Sequence, residues 1–271
     1  MSVLRALRAR RAVPAAFAAV LALAACGQPT EAGSATNEDL GDFVVREAVL
    51  ETDQYVDLAN QLSEERWLED VADNLNDSLI LPVDIGLRFA ECGENNAYYI
   101  PDDREIQICI EMFEGEREVF SAYFETEEEI EAAVAGSFLF TVFHEVGHAL
   151  IDVLEIPFTG REEDTADSLA AWWLIDGDTG EESAIAGALS FYTDPSEQTA
   201  LEESDYAGEH SISQQRYYTL TCLVYGSDTE QYANLLEDEW LTPERAEQCP
   251  AEFEQLSNTW YTLLDAHLKA Q

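Results

Sequence analysis

The segment between Thr126 and Pro157 sets the tightest limit on the fold. Thr126 with Glu129 three residues later has the capping-box pattern, in which each side chain bonds the other residue's backbone N–H. The helix that this starts runs through Phe138, Phe143, Val146 and Leu150, and Pro157 bounds it. Inside the apolar run stand His144, Glu145, Val146, Gly147 and His148. A buried pair of histidines with an adjacent glutamate needs partners, and a metal ion supplies them. On a helix His144 and His148 lie i and i+4 on one face, with ring nitrogens that can converge on one ion. Glu145 stands about 100° round the helix, beside such an ion and not bound to it. It is placed to take a proton from water that zinc has acidified towards a pKa of ~7. Two exposed helix histidines are the plainer alternative, and the apolar setting speaks against them.

A hydrolytic metal needs a third protein ligand and one open position. Glu163 and Asp167 share a helical face as i and i+4. One can bind the ion while the other accepts a hydrogen bond from a ligand histidine and fixes its tautomer. The chain can reach: from His148 to Leu154 the first helix advances ~9 Å, and residues 155–160 extend to ~20 Å. Glu162 and Asp164 are rival ligands, but neither has an acid four residues on. A solvated acidic first turn, favoured by the helix dipole, is the other alternative. The spacing therefore predicts Glu163 as ligand and Asp167 as the outer partner of a ligand histidine.

Charge excludes several partners. Thirteen Lys and Arg face 56 Asp and Glu, a formal −43. Such a surface repels phosphate backbones, which argues against nucleic acid as a partner. It also repels anionic lipid, so membrane attachment has to be covalent or hydrophobic. Adaptation to salt and a generic acidic surface both account for it. With 46% apolar residues the chain can build a substantial core.

The first 25 residues hold Arg5, Arg8, Arg10 and Arg11 and no acid. Ala12–Ala25 is an apolar stretch of 14 residues, the length of a signal-peptide core and too short to span a bilayer. It ends Leu23-Ala24-Ala25-Cys26, which resembles the bacterial lipobox, whose cysteine is lipidated and becomes the mature first residue. An ordinary signal peptide cut after Ala25 is the alternative. Residues 1–25 are thus expected to be a signal peptide, 26–38 a lipidated cysteine with a flexible tether, and 39–271 the folded domain. The expected location is the cell envelope, on the outer membrane or its periplasmic or extracellular face, with lipid on Cys26 as the membrane link. Four cysteines remain, which allows three pairings. The local one, Cys92–Cys109 and Cys222–Cys249, closes two short loops and is preferred for an exported chain.

Hydrophobic period predicts strands at 42–50, 81–91, 97–100 and 105–113, and a helix at 52–77. After Thr126 it predicts further helices at 161–175, 181–192, 211–225, 229–240, 243–248 and 251–269. A small antiparallel or mixed sheet followed by helices is an α+β arrangement.

The sequence HEVGH followed by E-x-x-x-D resembles the gluzincin branch of the zincin metallopeptidases. More narrowly, HEVGHALIDVLEIPFTGREEDTAD, EHSISQQRYYTLTCLVYGSD and RAEQCPAEFEQLSNTW resemble a bacterial metallopeptidase family, over roughly residues 40–268. The resemblance implies a zincin-like fold, with a small sheet over the HExxH helix and a helical C-terminal part closing the cleft. It implies one zinc per chain and a peptide or protein substrate. It also implies that Asn96, Ala97, Tyr98 and Tyr99 form the sheet edge near the site, where substrate backbone pairs as an added strand; a plain edge strand is the alternative. By similarity to gluzincins with a His or Tyr there, His210 is the candidate for stabilising the oxyanion, against a surface histidine beside Glu209. His148 and Glu163 stand closer in sequence than in thermolysin-like enzymes, which bears on the helix arrangement and not on the ligand set. Two functions fit: a lipid-anchored zinc peptidase with Glu145 as base, or a catalytically silent metal-binding lipoprotein with a binding or assembly role. Glu145 favours the first, because a purely structural site needs no base.

Overall fold

A computed structural model describes residues 38–176, 180–192 and 201–270. The expected signal peptide, Cys26 and the tether as far as Asn37 lie outside the described residues. The chain begins with strand β1 (Phe43–Val45), helices α1 (Val56–Glu64) and α2 (Trp67–Ser78), and strands β2 (Ile85–Ala90), β3 (Ala97–Ile100) and β4 (Glu105–Cys109). Helices follow: α3 (Met112–Phe120), α4 (Glu127–Val153), α5 (Glu162–Asp176), α6 (Glu181–Ser190), α7 (Glu203–Ala207) and α8 (Ser213–Ser227). Two single turns, α9 (Asn234–Glu237) and α10 (Pro243–Ala246), lead into α11 (Cys249–Leu264). The class is α+β.

The four strands form one mixed sheet in the order β1-β2-β4-β3. β1, β2 and β4 run parallel, and β3 returns antiparallel against β4, with Ala97 opposite Ile108 and Tyr99 opposite Ile106. The middle strands β2 and β4 are buried on both faces, which is why their sequences alternate only in part. Among the described residues no strand pairs with the outer edge of β3, and β3 packs on α4.

Several expected elements end elsewhere, and of the strands expected over 42–50 and 81–91 only Phe43–Val45 and Ile85–Ala90 form. The helix expected over 52–77 breaks at Arg66, whose φ of 62° is left-handed, and restarts at Trp67. The strand expected to continue to residue 113 stops at Cys109, and α3 begins at Met112. Met112, Phe113, Glu116 and Phe120 then bury one helical face, while the alternation of Ile106, Ile108, Ile110 and Met112 carries the strand period past the strand's end. Of the helix expected over 229–240, the single turn α9 forms.

α4 is 27 residues long, and its capping box is complete: Glu129 N–H donates to Thr126 Oγ1 at 3.3 Å and Thr126 N–H to Glu129 Oε2 at 3.1 Å. β3, β4 and α3 pack on it, as do α5 and α6. Phe138 anchors the helix in an aromatic cluster, 5.1 Å from Trp67, 6.1 Å from Phe89 and 5.7 Å from Phe113 between ring centroids. Two disulfides close the local loops, Cys92–Cys109 beside the ends of β2 and β4, and Cys222–Cys249 between α8 and α11.

The approach of α4 to α5 decides where the acidic helix sits. Gly147 lies against Ala166 so closely that a Cβ there would stand 2.9 Å from the Ala166 Cα. The backbones can touch only because this position has no side chain. Gly147→Val is therefore expected to lower stability by about 1–3 kcal/mol through overpacking, read from the midpoint of urea unfolding.

Candidate metal centre

Glu145 and both motif histidines project from α4 into a cavity of about 850 Å³. Its opposite walls come from β3, from the start of α5, from the end of α6 and from His210 and Arg216 near the start of α8. His144 Nε2 and His148 Nε2 are 3.2 Å apart. Glu163 reaches across from α5, placing Oε2 3.1 Å from His144 Nε2 and 3.4 Å from His148 Nε2.

The outer nitrogens explain this arrangement. His144 Nδ1 donates to Asp167 Oδ1 at 2.8 Å, and His148 Nδ1 donates to Glu162 Oε1 at 2.9 Å. A carboxylate can only accept, so each neutral ring carries its proton on Nδ1 and turns a lone pair inward from Nε2. Two lone pairs and a carboxylate oxygen facing one another repel unless a cation lies among them. Ligand atoms bound about 2.0–2.1 Å from one ion at tetrahedral angles lie about 3.3 Å from each other. The three separations match that edge, so this donor set fits a metal ion.

Asp167 is fixed in turn. Arg216 on α8 grips it with two hydrogen bonds, Nε to Oδ2 and Nη2 to Oδ1, both 2.7 Å. The same guanidinium lies 3.7 Å over the Phe191 ring, a cation–π contact that adds to its hold on the site. Burial opposes the charge on Asp167, yet His144 and Arg216 bring its pKa down to about 2. Burial also opposes protonation of His144, but hydrogen bonds to Asp167 and Glu163 push its pKa up to about 9. Three imidazoles hold Glu163 far below the carboxylate range against its own desolvation.

Glu145 touches the cluster without joining it. Burial raises its pKa, against the pull of both histidines and of a hydrogen bond from the Tyr99 backbone. The β3–β4 pairing shows which way the edge strand faces. Tyr99, and by the two-residue pleat Ala97, turn their backbone groups to the cleft, while Asn96 C=O accepts from Cys109 N–H at 3.1 Å and faces β4. Tyr98 therefore contributes its ring to the cleft lining and its backbone to the sheet. The Asn96 side chain accepts from Ala97 N–H at 2.9 Å and donates to Tyr98 Oη at 3.0 Å.

His210 is half exposed, with Nε2 2.7 Å from Glu163 Oε2. Its ring stacks 6.1 Å from that of His144, and Arg161 donates to its carbonyl. The structure thus gathers His144, Glu145, His148, Glu163, Asp167 and His210 in one site, with Asn96, Ala97 and Tyr98 on its wall. Glu162, which spacing offered as a rival ligand, instead partners His148 from outside. The grip of Arg216 on Asp167 had no signal in the sequence beyond its place on a helix near His210.

Residues 48–264 match a family described as "Putative metallopeptidase". No curated protein and no solved structure matches the chain.

The ring protons make stability depend on pH. His144 and His148 both titrate above the ordinary 6.5, so in chelator-treated protein their contribution is whole below that pH and is lost as pH rises, that of His144 through about 9. A metal replaces those protons and binds more tightly as they leave. The Tm of chelated protein is expected to fall between pH 6.5 and 9, and that of metal-loaded protein to resist the change. Parallel thermal melts check this; identical profiles with and without chelator would count against it.

Proposed function

The chain belongs to this metallopeptidase family, and from that premise we propose that it is an exported, lipid-anchored zinc peptidase of the gluzincin type. The observation that carries the proposal is the triangle of His144 Nε2, His148 Nε2 and Glu163 Oε2, with both Nδ1 protons already committed and Glu145 alongside. Two imidazoles and one carboxylate are a donor set of hydrolytic zinc enzymes. Zinc held there would supply Lewis-acid polarisation and a water acidic enough to ionise near neutral pH.

The protein's own groups do the rest. Glu145, raised by burial, takes the proton of the attacking water on its carboxylate and passes it to the departing amine. Asp167 and Arg216 keep the His144 ring in the orientation that points Nε2 inward. His210, which donates from Nε2 at the mouth of the site, is placed to stabilise negative charge on the carbonyl oxygen. The cleft-facing carbonyls of Ala97 and Tyr99 are placed to accept from the backbone of an extended substrate, the Ala97 N–H being taken by the Asn96 side chain, and such strand-like pairing asks for little side-chain specificity. The sheet beneath α4, with α5, the end of α6 and the start of α8 across the cleft, supports a zincin-like reading of the fold.

Export and the lipid on Cys26 are supported by the leader and lipobox-like sequence, and by two disulfides that suit an oxidising compartment. A purified sample is expected to contain about one zinc per chain by mass spectrometry, and a His148→Ala variant to lose it. Glu145→Gln should keep the metal and lose peptide-library cleavage by about 10²–10⁴-fold. Bound zinc without cleavage in the wild type would leave the silent metal-binding lipoprotein; absence of zinc binding would remove both.

A further inference from the structure

Glu116 lines the same cleft from α3, away from the metal-binding cluster. It is 9% exposed. Ser137 Oγ donates to its Oε2 at 2.9 Å, and Asn95 Nδ2 to its Oε1 at 3.4 Å. Asn95 comes this close because α3 carries Gly115 there: a Cβ on Gly115 would stand 2.3 Å from Asn95 Nδ2. Both partners are neutral, and among the described residues no Lys, Arg or His forms an ion pair with Glu116.

That is an expensive place for a carboxyl group. Burial pushes its pKa up, and a carboxylate withdrawn from water is stable only beside a positive charge or a full set of donors. The rest of the buried face of α3 is Met112, Phe113 and Phe120, so packing alone calls for another apolar side chain. The missing partner can enter from the cavity. Ser137 stands seven residues before His144 on α4, about 10 Å along the axis, with Phe140 and Thr141 lining the wall between them.

We propose that Glu116, seated by Ser137 and Asn95, is the floor of a specificity pocket that accepts the Lys or Arg side chain of a residue flanking the cleaved bond. The distance selects a side chain over a free amino terminus. A Lys stem extends about 6 Å from its Cα, which bridges from a backbone held beside the metal to Glu116. An α-ammonium on that same residue stays at the metal end. Either oxygen of Glu116 can accept from an ammonium, and both together suit the fork of a guanidinium. The surrounding charge of −43 draws cationic peptides towards the cleft. The inference rests on the peptidase reading for the bond that is cut, while the pocket itself is tested by binding.

Zinc-loaded full-length Glu145→Gln protein is titrated with acetylated Ala-Ala-Ala-Xaa-Ala-Ala peptides carrying a C-terminal fluorophore, followed by anisotropy. Xaa is Arg, Lys, citrulline or norleucine. The Arg and Lys peptides are expected to bind about ten- to a hundred-fold more tightly than the neutral pair. Adding Glu116→Gln, which keeps the shape and removes a buried charge, should close that gap with zinc content and Tm retained. Equal binding of Arg and citrulline peptides in the parent would overturn the pocket, and this comparison needs no variant at Glu116. A preference restored by a free amino terminus in place of the acetyl group, whatever Xaa is, would overturn it as well. Glu116-dependent binding of Arg peptides that wild-type protein never cleaves would uphold the pocket and sink the peptidase reading.

Discussion

Asp167 is an ionised group in a place where charge is costly, and the site is organised around meeting that cost. A buried carboxylate stays charged only if partners surround it. Here His144 on α4 meets one oxygen, and Arg216 on α8 meets both. Apolar packing can bring three helices together but is indifferent to small rotations between them. Hydrogen bonds of 2.7–2.8 Å are not. Through this one side chain the orientation of the imidazole, the placement of α5 and the position of the α8 N-terminus become a single condition.

Close backbone contact makes that condition attainable. With Gly147 against Ala166, α5 lies near enough for Glu163 to sit between two rings one turn apart. The edge strand completes the enclosure from the other side, and its Tyr99 backbone lowers the pKa of Glu145 against burial, so the sheet bears on the base as well. Sheet and helices therefore share the site.

Much of this was written plainly in the chain. The capping box at Thr126 and Glu129, the i, i+4 histidines and the i, i+4 acids at Glu163 and Asp167 all obey the helical period, and the structure places each where that period puts it. The local cysteine pairing also formed. What escaped depends on contacts across long separations. Arg216 meets Asp167 49 residues away, and Ser137 meets Glu116 across 21; neither pair has a local pattern. The start of α3 was hidden for a different reason. Ile106, Ile108, Ile110 and Met112 alternate as a strand would, so the strand period runs on to the residue where the helix begins. Glu162 shows the subtler limit: spacing marked it as an acid near the histidines, and only the fold assigns it to an outer nitrogen.

The length of α4 has one more consequence. By extent and hydropathy it qualifies as a membrane-crossing segment, yet it is mostly buried within the protein. A nascent chain with such a segment has two competing destinations, lipid and its own core. Ionisable groups near one end of the span are unwelcome in hydrocarbon, where a charged Asp, Lys or Arg costs on the order of 2.5–3.5 kcal/mol at the centre and less towards the headgroups. His144, Glu145 and His148 therefore handicap the lipid alternative, while the core offers them Asp167, Glu163 and Glu162. The side chains that give the helix its chemistry also tilt its partition towards the folded protein.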